Sequence, residues 1–226
     1  MPLVNDSGGT DTLSERAAGL VQRDILAGDL APGARLGIVE LAKRYEIGAT
    51  PLREALSRLM SRGLIVGIGQ RGFRVADISR DDLLDITQMR TVIEVDALRR
   101  SMAEGGDTWE AGILAALHLM RRYIERTGDG FREGADDFDM LHKGFHTSLL
   151  AACGSRRLLA AHADLYDQAY RYRRIMMGRM VGGADFIASH QRLADCILAR
   201  DHDRAQAMLT AHLRATLDYV YPPKRS

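Results

Sequence analysis

Aromatic residues are scarce in this chain, at 6% of 226 residues, so its cores have to be built from Leu, Ile, Val, Ala and Met. Cysteine is nearly absent. Cys153 and Cys196 stand far apart and outside any C-x-x-C. That excludes a disulfide framework and is the usage expected of a cytoplasmic protein with two reduced, buried thiols. No apolar run approaches the roughly 20 residues that a membrane span needs, so no membrane partner is expected. Residues 1–12, MPLVNDSGGTDT, lack the basic and apolar segments of a signal peptide and are expected to form a disordered tail. Net charge is also almost missing, at +1, and the whole-chain balance points to no polyanionic partner.

What is present is unevenly arranged. Apolar residues at 46% and charged residues at 27% describe an ordinary globular chain, long enough for two domains. Between Arg35 and Ala76 eight Lys and Arg face three Glu, a local +5. Such a stretch suits phosphates, although charge alone describes a solvated face equally well. Leu13, Ala17, Leu20, Val21, Ile25 and Leu26 have helical spacing, and the helix stops at Gly28. Further helices are expected near Val39–Tyr45 and Thr50–Arg62, the second stopped by Gly63. Two alternating runs, Leu64–Ile68 and Gly72–Ala76, flank Gly69-Gln70-Arg71 and predict a β-hairpin. Helices followed by a hairpin, over residues 13–78, give the order of a winged helix-turn-helix. After Asp77 strand signals vanish. Six helices are predicted near Arg80–Ala103, Thr108–Arg126, Glu133–Ala152, Ser155–Arg179, Ala184–Ala199 and Asp203–Tyr219, separated by turn residues. The expected fold is therefore mainly α: a winged unit, then a six-helix antiparallel bundle over residues 79–221. Ser79, or the acidic pair after it, is expected to cap the first bundle helix.

The run ILAGDLAPGARL…ELAKRYEIGATPLREALSRLMSRGLIVGIGQRGFRV resembles the GntR family signature over about 50 residues. The turn G-x-L-x-P-G-x-x-L, the LA pair, TPLREAL, the GL and the RGFRV of the wing all fall in register. A recognition helix meets the major groove by its N-terminal end. Thr50, Arg53 and Ser57 share a face there, opposite Leu52, Ala55, Leu56 and Leu59. The resemblance puts Arg53 at the DNA, where a guanidinium grips guanine or phosphate; the alternative is a salt bridge to a nearby Glu. Arg71 and Gly72 are candidates at the wing tip, and Arg44 and Arg35 are weaker candidates for phosphate. The chain departs from the family at Gly48 and Ala49, where relatives carry Ser-Arg. A side-chain cap and one early Arg are lost, and Thr50 is left as a possible cap.

His142 and His146 are one turn apart, so both face one side of a helix. His190 and His212 fall in the apolar phase of their own helices. One inward His is ordinarily a satisfied core residue. Four are costly to bury unless something binds them, and imidazole is a common metal ligand. The stretches LHKGFHTSLLAACGSRRL and SHQRLADCILARDHDRAQAMLTAHL are similar to the FCD effector domain of the FadR subfamily, with six helices as in its VanR-like branch. The resemblance implies a divalent metal held by one Asp and three His. His146, His190 and His212 match the three His, and His142 stands where the family has Asp. An all-imidazole set favours Zn²⁺ or Ni²⁺. Asp139 is expected as a solvated residue or, alternatively, a partner orienting an imidazole. The resemblance also implies a small carboxylate effector. Arg90, followed by Glu94, is then a candidate to bind it, or else is internally paired with Glu94. Tyr170, Tyr172, Arg173 and Arg174 belong to the cavity or a dimer seam, and His118, His162 and His202 to the surface or packing.

These readings converge on a metabolite-responsive repressor that binds a palindromic operator as a homodimer. The alternatives are a regulator that senses the metal directly and a His-ligated metalloenzyme. Against the enzyme, no positioned general base, nucleophile motif or phosphate loop is evident, and no catalytic residue is assigned.

Overall fold

A computed structural model describes residues 12–69, 72–131, 135–176 and 182–222. The chain divides into two compact units, Met1–Asp77 and Ile78–Ser226. The predicted tail up to residue 11 and Arg71 lie outside the described residues.

The first unit holds α1 (Leu13–Ala27), β1 (Arg35–Leu36), α2 (Ile38–Tyr45), α3 (Ala49–Ser61), β2 (Ile65–Gly67) and β3 (Phe73–Val75). A capping box starts α1: Thr12 Oγ1 accepts the Glu15 amide at 3.2 Å, and Glu15 Oε2 accepts the Thr12 amide at 3.0 Å. Gly28 ends it at φ +86°, a left-handed position that glycine reaches without strain. The strands form an antiparallel sheet in the order β1-β3-β2, with Leu36 opposite Phe73 and Ile65 opposite Val75. Strand β1 was not foreseen, because two residues carry no alternation to detect. Val21, Ile25, Leu52, Leu56, Leu59, Leu64 and Val75 fill one core beneath the sheet and α3.

The second unit is helical among its described residues: α4 (Arg80–Glu104), α5 (Asp107–Thr127), α6 (Asp136–Leu150), α7 (Arg156–Met176), α8 (Gly183–Leu198) and α9 (His202–Val220), with a 3₁₀ turn at Gly128–Gly130. Ser79 caps α4 by accepting the Asp82 amide at 3.1 Å, with Asp81 and Asp82 in the first turn. Helix α4 packs on α7 and α9, and α5 packs on α6 and α8. Phe138, Phe145, Leu149, Leu193, Ile197 and Leu209 belong to the main core. A smaller cluster of Leu83, Ile86, Tyr172, Leu217 and Val220 joins α4, α7 and α9. Both cysteines are free and buried. No helix among the described residues is long and apolar enough to cross a membrane.

Candidate nucleic-acid interface and metal centre

Helix α3 is amphipathic in the sense the sequence demanded. Leu52, Ala55, Leu56 and Leu59 are sealed in the core, while Thr50, Arg53 and Ser57 are exposed. Its N-cap is Gly48, which offers no side chain, and Thr50 lies within the helix rather than capping it. The amides of Ala49 and Thr50 are left without a side-chain cap, Pro51 has none, and no carboxylate stands in the first turn, so the positive end of the helix dipole favours an anion there.

The cations of this unit fall into two groups. Some are engaged within the fold. Arg58 pairs with Glu15 at 3.5 Å, and Arg74 pairs with Asp77. Arg44, expected at phosphate, contacts Asp24 Oδ2 at 2.5 Å and lies 3.9 Å from Asp29. Asp24 is 3% exposed and also accepts the Tyr45 hydroxyl at 2.8 Å. Arg23 also pairs with Asp24, at 3.3 Å, so Arg44 is one of two cations that neutralise this buried carboxylate. By contrast, Arg35, Lys43 and Arg53 are exposed and make no ion pair among the described residues. The salt-bridge alternative for Arg53 is therefore not what the fold contains. Gly72 has φ +101°, and its carbonyl accepts the Ile68 amide at 2.8 Å, closing the wing.

In the helical unit α6, α8 and α9 bring four imidazoles together. His142 Nε2 lies 2.9 Å from His190 Nε2 and 3.0 Å from His146 Nε2; His212 Nε2 lies 3.2 Å from His146 Nε2. Ligand atoms of all four lie within 4.8 Å of one another. His142, His146 and His190 are buried and His212 is half-buried. Burial drives the pKa of His142, His146 and His212 well below 6.5, and the charges of Arg173, His212 and His190 respectively add to this. His190 falls to about 4, again through burial. Neutral rings present lone pairs. Four ring nitrogens within 4.8 Å of one another could hold one ion through bonds of about 2.1 Å, and the donor set suits Zn²⁺ or Ni²⁺.

The supporting layer corrects one expectation. Asp139 is not solvated. It is buried, its Oδ1 accepts the Tyr166 hydroxyl at 3.0 Å, and Arg173 Nη2 lies 3.5 Å away. Burial raises its pKa to about 6, against the opposing charge of Arg173. His162 is also a buried residue with a charged neighbour, its Nδ1 lying 3.2 Å from Glu94 Oε1. Arg90 holds Glu94 at 2.6 Å, with both side chains buried. Burial pushes the Glu94 carboxyl up, but Arg90 ahead of His162 outweighs it and the pKa is lowered.

A cavity of about 390 Å³ opens beside the histidines. His142, His190 and His212 line one side, Phe186, Leu193 and Met208 supply apolar wall, and Arg173 and Arg192 supply charge. Arg90 does not line it. Arg173, left unassigned by the sequence, reaches both the cavity and the histidines: Nη1 donates to His142 Nδ1 at 3.0 Å and Nη2 to the Tyr166 hydroxyl at 2.8 Å.

Comparison with known proteins agrees with this division. Residues 13–75 match the bacterial regulatory proteins of the gntR family, and residues 85–215 match the FCD domain. The chain is 38% identical to the HTH-type transcriptional repressor GlaR of Escherichia coli K12 over 204 residues, covering 88% of this chain and 92% of that protein. It is 34% identical to the HTH-type transcriptional regulator BphR of Paraburkholderia xenovorans, covering 88% and 82%. Among solved structures, E. coli McbR/YncC superimposes with a TM-score of 0.76 at 19% identity, covering 94% of this chain and 98% of that one. A GntR regulator from Rhodococcus sp. RHA1 gives 0.72 at 20%. The relatives are transcription regulators rather than enzymes, which sets the metalloenzyme alternative aside. A winged helix-turn-helix followed by a helical FCD domain places this chain in the GntR family of bacterial transcription regulators, with the FadR-type arrangement.

Proposed function

We propose that this protein is a metabolite-responsive repressor that binds a palindromic operator as a homodimer. Arg53, exposed on the outward face of α3 and without an ion pair among the described residues, supports direct DNA contact, with Thr50, Ser57, Gly72, Arg71 and Arg35 as further contacts. A divalent transition metal, Zn²⁺ or Ni²⁺, would be held by His142, His146, His190 and His212. When bound, it supplies a Lewis-acidic anchor for ligand oxygens. The effector is a small carboxylate seated in the adjoining cavity. Arg173 and Arg192 are its preferred partners, because Arg90 is committed to Glu94.

One observation carries this reading: four Nε2 atoms converge, and three of their rings line a cavity that arginines also line. A purely structural ion would need no such space beside it. Effector binding shifts the population of bundle packings, and these set the spacing of two winged units against two half-sites. The test is binding to DNA fragments selected by the protein itself from random sequence. Loss on Arg53→Ala, retention after chelation and release by one member of a carboxylate panel support the reading. Binding that follows free metal with no carboxylate effect would instead indicate a direct metal sensor. Turnover of a carboxylate without DNA affinity would overturn both.

A further inference from the structure

Helix α4 carries an outward apolar stripe. Met89 is 51% exposed and Val92 69%. With Asp85, Asp96 and Arg99 they follow three- and four-residue steps, so all five share one side of the helix, opposite the buried Leu83, Ile86 and Ala97. Single exposed apolar side chains are ordinary. Two on adjacent turns at the centre of a helix, with charges of opposite sign on either side, are not. Val92 is the middle residue of α4 (Arg80–Glu104). Asp85 stands seven residues before it and Arg99 seven after it. Asp85 is exposed and makes no ion pair among the described residues. Beside the second half of the stripe, between α4 and α9, lies a groove of about 180 Å³ walled by Val95, Leu98 and Met102.

Building on the homodimer proposed above, we infer that the outer face of α4 is where two copies of this chain meet, antiparallel, with the two-fold axis at Val92. In such a contact each position faces the one equidistant from the axis. Val92 then meets Val92 of the second copy, and Asp85 meets its Arg99 on both sides of the axis. Met89 and Val95 each stand three residues from Val92, so Met89 of one copy enters the groove beside Val95 of the other. Asp96 faces Gln88, whose amide donates to it. Arg99 Nη2 donates to Asp96 of its own helix at 2.9 Å, and a guanidinium has donors left for Asp85. A parallel pair would set Asp85 on Asp85 and Arg99 on Arg99, and like charges face to face are disfavoured. The seven-residue interval from Asp85 to Val92 to Arg99 suits two long helices crossing at about 20°. Charge, apolar knob and groove thus all find their counterparts on the same helix, which makes a second α4 the fitting partner.

The experiment follows self-association of the full chain by sedimentation, with Val92→Asp, Asp85→Arg and Arg99→Asp beside the wild type. The wild type is expected as a dimer. Val92→Asp puts two carboxylates on the axis and yields monomer. Asp85→Arg and Arg99→Asp each oppose like charges twice per dimer and each raise the dissociation constant by about tenfold or more. Mixed in equal amounts, these two variants form a heterodimer in which both contacts are attractive again, and wild-type affinity returns. Asp85 and Arg99 stand about 21 Å apart along one helix, so no contact within a chain can produce that rescue. Added salt blunts the penalty and the rescue together. All three positions are exposed, and circular dichroism confirms that the variants are folded. A dimer that none of the variants weakens overturns this inference alone, as does a mixture that fails to recover. A wild-type chain that stays monomeric, free and on its selected DNA, overturns the homodimer reading as well.

Discussion

At the scale of single residues, the cations of the winged unit divide by what they touch. Arg53 touches nothing charged among the described residues and is exposed, whereas Arg44 neutralises buried Asp24. Their alanine variants should therefore fail differently. Arg53→Ala is expected to leave the melting temperature unchanged and to weaken operator binding by roughly 10- to 100-fold, the cost of about 1–3 kcal/mol for a lost base contact. Arg44→Ala removes one of the two cations on buried Asp24 and should lower the melting temperature. Gel-shift titration beside thermal melting distinguishes the two. In the cluster, His190→Ala and His212→Ala should each lower Zn²⁺ affinity by tenfold or more in a competition assay with a chromogenic chelator, while leaving the winged unit's melting intact. Equal Zn²⁺ uptake by both variants and wild type would remove those rings from the ligand set.

At the scale of elements, helices and wing were legible because their limits are written in local chemistry. Thr12 and Ser79 cap, Gly28 reverses the chain, and Gly69 and Gly72 bracket the hairpin tip. The convergence of α6, α8 and α9 on one centre was legible from the i, i+4 pair His142–His146 and from the apolar phase of His190 and His212. What α7 contributes was not. Tyr166 and Arg173 sit in a run of tyrosines and arginines, and nothing local says which of them turns toward His142. The same holds for Asp139, whose burial depends on Tyr166 arriving from another helix. Arg90 was ambiguous for the converse reason, since one i+4 pattern serves an effector site or an internal pair. One further element is constrained by packing. Between α4 and α5, a Cβ on Gly105 would lie 2.4 Å from Trp109 Cε3 and 2.6 Å from the Ser101 carbonyl. Gly105→Ala should therefore destabilise the helical unit by about 1–3 kcal/mol, readable as a drop in its melting temperature, and Gly106→Ala, with open space around it, should be milder.

At the scale of the whole molecule, two units with their own cores predict two calorimetric transitions. Removing a bound divalent metal should lower only the one belonging to the helical unit. Acid should act on that unit too. The four imidazoles have folded pKa values below the 6.5 of a free ring, about 4 for His190. The unfolded chain takes up protons first, so their contribution is whole above pH 6.5 and is lost as pH falls toward 4. Asp139 is raised from 3.8 to about 6 and works in the other direction, its contribution fading as pH rises through 6. It is one group against four. The melting temperature of the helical unit should fall by roughly several degrees from pH 7 to pH 5, and a constant or rising value would contradict the neutral-histidine centre.

The described part of the wing closes early. Its last backbone tie, from the Ala76 amide to the Leu64 carbonyl, forms before the chain leaves the first unit at Asp77. On the ribosome, then, the reading head has its core and sheet partners in hand while most of the helical half is still unsynthesised. A gene spliced at codon 77 to an unrelated dimeric sensor would carry over the half-site contacts of α3, while the new sensor set their spacing.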